Sequence, residues 1–297
     1  MKKLIAVITI FAFLSGCELY EQDDYQEYYV VESYLVANGD LRQVRLSTTN
    51  PIDETYQFED NAVSGATVEI QRLNADSSVA EPYPYQEQQP GIYMPVNNDT
   101  VRAAQLYRLL VTTQNGDEIS STTYVPGNFE TVNELESSYI YQSDKQVELT
   151  TTPSSYITDR QTYFVFTISA LDTNPNNLTP FYADQVDDDD TDIEEFYVNS
   201  SGIVNEGNFE QHSNGNITLD LPWLAVAFYG SNNIIVNTID DNLYDFLRSQ
   251  STQSGGSTLS PGEIQNIRYN VNGGIGIFGS MASDTNNTFI TRPQPTN

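Results

Sequence analysis

Short runs of β-forming residues, separated by turn residues, occupy positions 28–125. The clearest run is GATVEIQRL at 65–73, where apolar and polar side chains alternate with the period of two that a half-buried strand requires. Asn38 and Gly39 separate two further runs and predict a hairpin. About seven such runs within roughly 100 residues predict an immunoglobulin-like or transthyretin-like β-sandwich over residues 28–126.

A Pro-Gly-Asn turn at residues 126–128 predicts the boundary to a second β-rich domain, which extends over residues 127–297. The run TYFVFTISA at 162–170 is apolar on both faces, so we expect a strand that is covered on both sides. The overall expectation is a mainly β protein made of two β-sandwich-like domains. Further strands are expected at residues 147–151, 217–221, 223–229 and 234–239.

One helix interrupts the strands of the second domain. Asp240 is suited to cap its first turn, and a glycine pair follows its end. Leu243, Phe246 and Leu247 fall on one apolar stripe. We therefore expect this helix to pack on the second sheet with all three side chains buried.

Three other parts of the second domain have weaker patterns. Residues 172–208 are polar, and we interpret them as a long acidic surface loop with a short strand at 196–198. The segment 264–277 predicts a late strand whose glycines let another part of the chain approach closely. From residue 284 we expect a frayed tail, with Phe289 as its one contact.

The N-terminus has the features of an export signal. Lys2 and Lys3 precede an uncharged run at 4–14, which is too short to span a bilayer and has the length of a signal h-region. The LSGC sequence that ends this run resembles the lipobox of bacterial lipoproteins. The resemblance implies removal of residues 1–16 and lipidation of Cys17. An ordinary signal peptide with an unrelated cysteine is the alternative.

Residues 17–27 are polar and acidic and have no period of 2 or 3.6, so we interpret them as a tether. Their acidic side chains loosely resemble a signal for export to the cell surface in lipoproteins of Bacteroidota. A plain solvated linker is the alternative. With Cys17 lipidated, the lipid bilayer is the first expected partner.

Charge and composition narrow the classes of partner and chemistry. The chain has 12 Lys+Arg against 41 Asp+Glu, a net charge of −29. Such a surface repels nucleic acid and anionic lipid headgroups, and it favours a basic partner protein. With 20 Tyr and 13 Phe the chain has enough aromatic surface to fold. Because Cys17 is the single cysteine, disulfides within the chain are excluded.

Motifs for catalysis are weak, and no catalytic residue is assigned. His212 is the single histidine and lies in a polar turn, so we expect it on the surface and expect no histidine-based zinc or iron site. The GIGIFG sequence at 274–279 has the letters of a dinucleotide fingerprint but not the helix that must follow. Paired carboxylates stay open as a hydrolytic site, because 41 acids guarantee candidate pairs.

An acidic run offers one metal hypothesis, in which Asp187, Asp188, Asp189 and Asp190 bind Ca²⁺. Contiguous acids without an internal glycine do not fit an EF-hand, and a solvated acidic loop is the alternative. No other cofactor is expected.

Four tyrosines have two possible roles. They are either ring platforms that present a flat face to a sugar or peptide, or residues packed within the fold. These tyrosines are Tyr83, Tyr85, Tyr139 and Tyr141.

Four stretches carry a resemblance to a known family: YYVVESYL at 28–35, VSGATVEI at 63–70, TIDDNLYDFLRSQ at 238–250 and NVNGGIGIFGS at 270–280. With these stretches the chain resembles a domain-of-unknown-function family of lipoproteins of Bacteroidota. The resemblance implies an N-terminal carboxypeptidase-regulatory-like sandwich joined to a second β-rich domain. It also implies a setting beside TonB-dependent outer-membrane receptors, next to which such proteins are often encoded.

These observations lead to an expected function without catalysis. We expect an outer-membrane lipoprotein that works as an accessory or ligand-capture subunit of a TonB-dependent uptake complex. The alternatives are a surface adhesin or scaffold and a carboxylate-based hydrolase. The sequence leaves both the cell surface and the periplasm open as the face that the protein occupies.

Overall fold

The computed structural model describes residues 25–51, 53–154, 161–189, 192–255 and 267–294. The predicted signal peptide, Cys17 and most of the predicted tether lie outside these residues, so those expectations stay predictions. The described part of the chain is mainly β, as the sequence predicts. No helix within it is long and apolar enough to cross a membrane.

The strands and helices of the described residues are numbered in chain order. The strands are β1 (Tyr29–Val36), β2 (Val44–Thr48), β3 (Thr67–Leu73), β4 (Val79–Gln89), β5 (Ile92–Pro95), β6 (Leu106–Thr112), β7 (Glu118–Tyr124), β8 (Ser138–Ile140), β9 (Glu148–Thr151), β10 (Tyr163–Ala170), β11 (Val198–Ser200), β12 (Val204–Asn205), β13 (Glu210–Gln211), β14 (Ile217–Asp220), β15 (Gly230–Ile239) and β16 (Ile275–Thr291). The α-helices are α1 (Phe58–Asn61), α2 (Pro180–Asp189) and α3 (Asp241–Gly255), and short 3₁₀ turns lie at Pro175–Asn177, Ile193–Phe196, Glu206–Asn208 and Trp223–Ala225.

One large sheet connects most of these strands. Its order is β11-β10-β15-β16-β1-β2-β5-β4-β3-β6-β7, while β12 pairs with β10 and β8 pairs with β16. A small sheet of order β13-β14-β9 accompanies it. The result is a sandwich-like β architecture in which strands from the start and the end of the chain are neighbours.

The pattern of the first hundred residues predicts the local structure well. The structure has seven strands, β1 to β7, in this region, which agrees with the predicted number of about seven. Asn38 adopts φ 60° in the turn between β1 and β2, and these two strands pair antiparallel as the hairpin prediction requires. Val68 and Ile70 of β3 are buried on one face, which confirms the alternation.

Two main clusters of buried side chains form the core. The first draws on strands β1 to β7 together with Val271, Phe278 and Ala282 from the end of the chain. The second draws on strands β8, β9, β10, β14 and β15, and Ile290 joins it. Strand β16 therefore contributes to both clusters. The domain boundary at 126–128 stays a prediction.

Strand β16 has two different neighbours along its length. Up to Met281 it runs parallel to β1, and from Met281 to Ile290 it pairs antiparallel with β15. The expectation of a frayed tail from residue 284 is wrong, because Thr288 and Ile290 are buried. Phe289, the one predicted contact, is instead 47% exposed, since neighbouring side chains of a strand point to opposite faces.

Glycines at the start of β16 and just before it permit its close approach to β1, as the sequence predicts. Gly276 has φ +108°, and a Cβ atom there would lie 2.1 Å from the carbonyl oxygen of Val31. A Cβ at Gly274 would lie 2.6 Å from the carbonyl oxygen of Tyr29. Both distances are far below van der Waals contact, so a side chain at either position would push the two strands apart.

The predicted strand at 162–170 is confirmed as β10, which is covered on both faces. Phe164 and Phe166 lie in the second cluster, whereas Val165 points the other way and packs with Ile239 and Leu243. Consecutive burial of this kind requires material on both sides of the sheet. Helix α3 supplies the cover on the side of Val165.

The region 172–208 is more ordered than the sequence predicts. The short strand predicted at 196–198 is shifted, because Ile193–Phe196 forms a 3₁₀ turn and strand β11 spans Val198–Ser200. Pro180–Asp189 forms helix α2, and its Tyr182 is buried against Phe228. The predicted strand at 223–229 is wrong, since Trp223–Ala225 is a 3₁₀ turn. Of the buried residues in 223–229, Ala227 and Phe228 pack around Tyr182, whereas Ala225, Val226 and Tyr229 belong to the second main cluster.

Candidate functional site

A groove lies on the outer face of the large sheet where β16, β1 and β2 are neighbours. On β1 the side chains of Val30, Glu32 and Tyr34 point into it, because they alternate with buried residues of the first cluster. Ile275 and Ile277 of β16 lie beside them. The groove has a volume of about 1100 Å³.

The walls of the groove come from distant parts of the chain. Phe246 of α3 lines one side, and Ile267 and Tyr269 follow it along the rim. Met94 of β5 lines the groove near β2. Tyr34 is 41% exposed and Tyr269 is 54% exposed, so two aromatic rings are open to solvent at one site.

Two arginines give the groove a cationic side. The guanidinium of Arg42 donates to the Tyr34 hydroxyl at 3.0 Å and lies 5.1 Å from the centre of that ring. Within the described ranges, no carboxylate lies at ion-pair distance from Arg42. Arg45 instead pairs with Glu32 at 2.8 Å and lies over the Phe58 ring. Among the described residues, Arg42 is therefore a cation of the groove that has no carboxylate partner.

A smaller groove of about 560 Å³ lies on the other side of α3. Tyr163 and Tyr244 line it, and their rings stack with centroids 3.8 Å apart. Because these two rings already cover each other, they offer less free aromatic surface than Tyr34 and Tyr269 do. The larger groove is therefore the candidate site.

Helix α3, which forms the wall of the groove, packs on the sheet through fewer residues than the sequence predicts. Leu243 is buried, whereas Leu247 packs against the same cluster but is only partly buried, so the expectation that all three side chains are buried is wrong. Phe246 is only half-buried and faces the groove, so the expectation that it lies in the core is wrong. Consecutive residues of an α-helix are about 100° apart around its axis, so Phe246 faces the groove although its neighbour Leu247 packs against the buried cluster.

Asp240 fixes the start of α3, as its predicted capping role requires. Its Oδ1 accepts from the backbone N–H groups of Leu243 at 3.0 Å and Ser280 at 3.1 Å, and its Oδ2 accepts from the hydroxyl of Thr123 at 2.6 Å. Burial raises the pKa of Asp240 to about 6, although these hydrogen bonds favour the charged form. This carboxylate thus joins α3 to β7 and β16.

The four tyrosines weighed as ring platforms are packed within the fold. Tyr83 stacks on Tyr107, and the Tyr85 hydroxyl donates to the carbonyl of Arg42 at 2.9 Å. Tyr139 and Tyr141 are buried in the second cluster. The packing interpretation is confirmed, and the exposed rings of the groove belong to different tyrosines.

Of the other predicted site residues, His212 does not line the groove. His212 is exposed, and its Nε2 is 2.8 Å from the hydroxyl of Thr218. Residues 187–189 form the end of α2, and Asp190 lies outside the described residues, so the calcium hypothesis stays a prediction. Among the described side chains, no group of three or more His, Cys, Asp or Glu is arranged to hold a metal ion.

Sequence reasoning missed the residues of the groove. The alternation around Tyr34 could have shown that this side chain points outward. Arg42 and Tyr269, however, lie in irregular segments. The expected strand over 264–277 is wrong for residues 267–274, because strand β16 begins only at Ile275 and Tyr269 precedes it. Nothing in the sequence indicates that Arg42 and Tyr269 flank the same sheet face.

Comparison with known proteins identifies the family. The family model described as "Domain of unknown function (DUF4249)" matches residues 18–287. The chain belongs to the DUF4249 family. The match covers both the sheet that forms the groove floor and the helix that forms its wall. No curated protein matches the chain.

Solved structures show only distant likeness. Trypsin-activated α2-macroglobulin from Escherichia coli is 8% identical with a TM-score of 0.22, and the match covers 73% of this chain and 14% of that one. The three N-terminal domains of the outer capsid protein Hoc of bacteriophage RB49 are 8% identical with a TM-score of 0.23, covering 90% of this chain and 71% of that one. The chain thus spans about a seventh of the macroglobulin's length, and likenesses at these scores carry no argument about function.

Proposed function

We propose that this protein is a lipid-anchored ligand-capture subunit of an outer-membrane uptake complex. In this proposal Cys17 carries the lipid and the groove holds a ligand. A TonB-dependent receptor is the partner that receives the ligand. The resemblance to lipoproteins of Bacteroidota supports the anchor and the partner.

The groove is the observation that carries this proposal. Ligand sites in proteins are concave and mostly apolar, with a few polar groups that fix orientation. The groove combines an apolar floor with exposed rings at Tyr34 and Tyr269 and a cation at Arg42. An exposed apolar surface of this kind is unfavourable in water unless it binds something.

Charge and chain length support the partnership with a membrane receptor. The net charge of −29 favours rapid, salt-sensitive association with a basic protein surface. Residues 17–27 span roughly 30 Å when extended, which allows the folded part to reach a receptor in the same membrane.

Purification of the native lipoprotein tests ligand capture. The full-length protein is isolated from its own membranes in mild detergent, and native mass spectrometry detects any retained molecule. We expect a retained ligand in the wild type and its loss in Tyr269→Ala. Tyr28→Ala is the matched control, because Tyr28 is also an exposed tyrosine but does not line the groove. Equal retention in all three proteins would contradict capture in this groove.

The same preparation tests the partner and the anchor. We expect a TonB-dependent receptor to co-purify at low salt and to be reduced at high salt. We expect Cys17→Ala to release the protein from membranes, because the chain has no other sulfur nucleophile for a thioether to lipid. Recovery of a cell-surface polysaccharide and no receptor at either salt concentration would favour the adhesin alternative.

A further inference from the structure

We propose that the ligand of the groove is an extended peptide that carries apolar side chains and a carboxylate, and that Arg42 binds the carboxylate. This inference rests on the proposed function, because it names the class of ligand for the same groove. The argument proceeds from the floor of the groove to its cation, its dimensions and its backbone.

The floor of the groove is mainly apolar, apart from the ion pair between Glu32 and Arg45, and this favours a peptide over a sugar. Val30, Ile275, Ile277 and Met94 present methyl and methylene groups, and Phe246 adds a ring. A sugar carries a hydroxyl on almost every carbon, and a hydroxyl that is desolvated without a hydrogen-bond partner is destabilising. Leucine, valine or isoleucine side chains of a peptide gain free energy on the same surface.

Arg42 makes the groove selective for a carboxylate. Its guanidinium is exposed and is oriented by the Tyr34 hydroxyl, and no described carboxylate neutralises it. Arg45 is already paired with Glu32. Hydrogen bonds between a guanidinium and a carboxylate are short, frequently bidentate and about twice as strong as neutral ones.

The spacing along β1 sets the distance between the two parts of the ligand. Val30 pairs with Ile275 at one end of the groove, and Tyr34 holds Arg42 toward the other end. Four residues of a strand extend over about 13 Å. If an apolar residue and an acidic residue are four positions apart in an extended peptide, their side chains can therefore reach the two ends of the groove at the same time. The volume of about 1100 Å³ is large enough for such a segment.

The peptide is recognised through side chains and not by strand addition. Strand β1 is paired with β16 from Val30 to Val36 and with β2 from Tyr29 to Glu32, so at the Val30 end of the groove its backbone is paired on both sides. Apolar residues on the floor can therefore select the apolar character of the ligand, while Arg42, whose guanidinium has no carboxylate partner among the described residues, selects a negative charge. We therefore expect the groove to bind peptides that carry different apolar residues.

Calorimetry on the full-length lipoprotein in mild detergent tests the inference with acetylated, amidated hexapeptides. The first peptide has leucine, valine and leucine at positions one to three, a single glutamate at position five, and serine at positions four and six. A second peptide has glutamine in place of the glutamate, and a third has the glutamate at the second position. We expect the first peptide to bind about tenfold more tightly than either of the others, since each has lost the charged hydrogen bond to Arg42.

Two variants assign this preference to the groove. We expect Arg42→Gln to remove the preference for glutamate over glutamine. Because Arg42 is exposed, we expect the variant to keep the circular dichroism spectrum of the wild type, and a changed spectrum would identify a folding defect. Arg102→Gln is the control, because Arg102 is an arginine with a side chain 63% exposed that does not line the groove. We expect this control to keep the full preference.

Three results would overturn the inference: equal binding of all three peptides, an equal effect of the two arginine variants, or binding of a galacturonic acid hexamer without binding of any peptide. Receptor recovery in the purification above together with no peptide binding would retain the proposed function and reject the peptide. Peptide binding without receptor recovery would retain the ligand class and reject the uptake partner.

Discussion

Replacement of Asp240 by asparagine tests how the buried carboxylate at the start of α3 affects stability. Asparagine has nearly the same shape and keeps an oxygen that can accept from the N–H groups of Leu243 and Ser280. Its amide nitrogen can donate to the Thr123 hydroxyl, which then acts as an acceptor. The substitution therefore removes the charge while it retains most hydrogen bonds.

The pKa of Asp240 sets the size and sign of the expected effect. Burial raises this pKa from an ordinary value of 3.8 to about 6. A raised pKa means that the folded protein holds the proton more tightly than the unfolded chain between these two values. The contribution of Asp240 to stability is thus fully present below about pH 4 and is lost as the pH rises through 6. At about 1.4 kcal/mol per pKa unit, the whole effect is about 3 kcal/mol, of which about 2 kcal/mol falls between pH 4 and pH 6.

Urea unfolding of the wild type and Asp240→Asn across this pH range measures the effect. Trp223 is the single tryptophan and packs against the second cluster, so its fluorescence reports unfolding of that core. The other acidic groups titrate in both proteins, so their contributions cancel when the free energies of unfolding of the two proteins are subtracted. We expect the wild type to lose about 2 kcal/mol relative to the variant between pH 4 and pH 6.

Parallel stability curves for the two proteins would refute a raised pKa at this position. A difference of the opposite sign, with the wild type gaining stability as pH rises, would show that the hydrogen bonds outweigh desolvation. Asp240→Ala separates the two contributions, because it also removes the acceptors for α3 and β16. We expect it to be less stable than Asp240→Asn at every pH.

Two further pairs of variants test the packing by urea unfolding. Gly276→Ala places a Cβ 2.1 Å from a backbone oxygen and should lose about 3 kcal/mol, whereas Gly116→Ala, also at positive φ but with no atom within 4 Å, should lose about 1 kcal/mol. Similar losses at both positions would contradict the close approach of β1 and β16. Leu243→Ala should lose about 2–4 kcal/mol, and Phe246→Ala less than about 1.5 kcal/mol, because only the leucine is buried in the core. A larger loss for the phenylalanine would place it in the core after all.

Much of the fold follows from period and turn chemistry. The alternation around Val68, the Asn-Gly turn after β1 and the capping role of Asp240 are local properties, and each has its expected structure. The strand around Phe166 was also predictable, because only a strand covered on both faces can hold so continuous an apolar run.

The errors concern segments whose structure depends on distant partners. The end of β16 is rich in Ser, Asp, Asn and Thr, and it becomes a strand because β15 offers it a continuous ladder of hydrogen bonds. Helix α2 has a polar sequence that is held in place by Tyr182. In both segments tertiary contacts outweigh weak local propensity.

The groove was not predictable for the same reason. Its floor joins Val30 to Ile275, which are close only because β1 and β16 pair in parallel. The sequence does contain the glycines that allow this pairing, but it does not identify their partner strand. Without knowing which strands pair with each other, one cannot deduce from the sequence which exposed residues share a face of the sheet.

The dual role of β16 determines which substitutions in the groove are informative about ligand binding. Gly276 lines the floor and also permits contact with β1, so a loss of binding at this position would follow from a change in the sheet as well as from a lost ligand contact. Arg42 and Tyr269 are exposed at the margin and belong to no strand. Substitutions at these two positions leave the ladder between β1 and β16 intact. A binding defect there, with unchanged stability, is therefore evidence for a ligand in the groove itself.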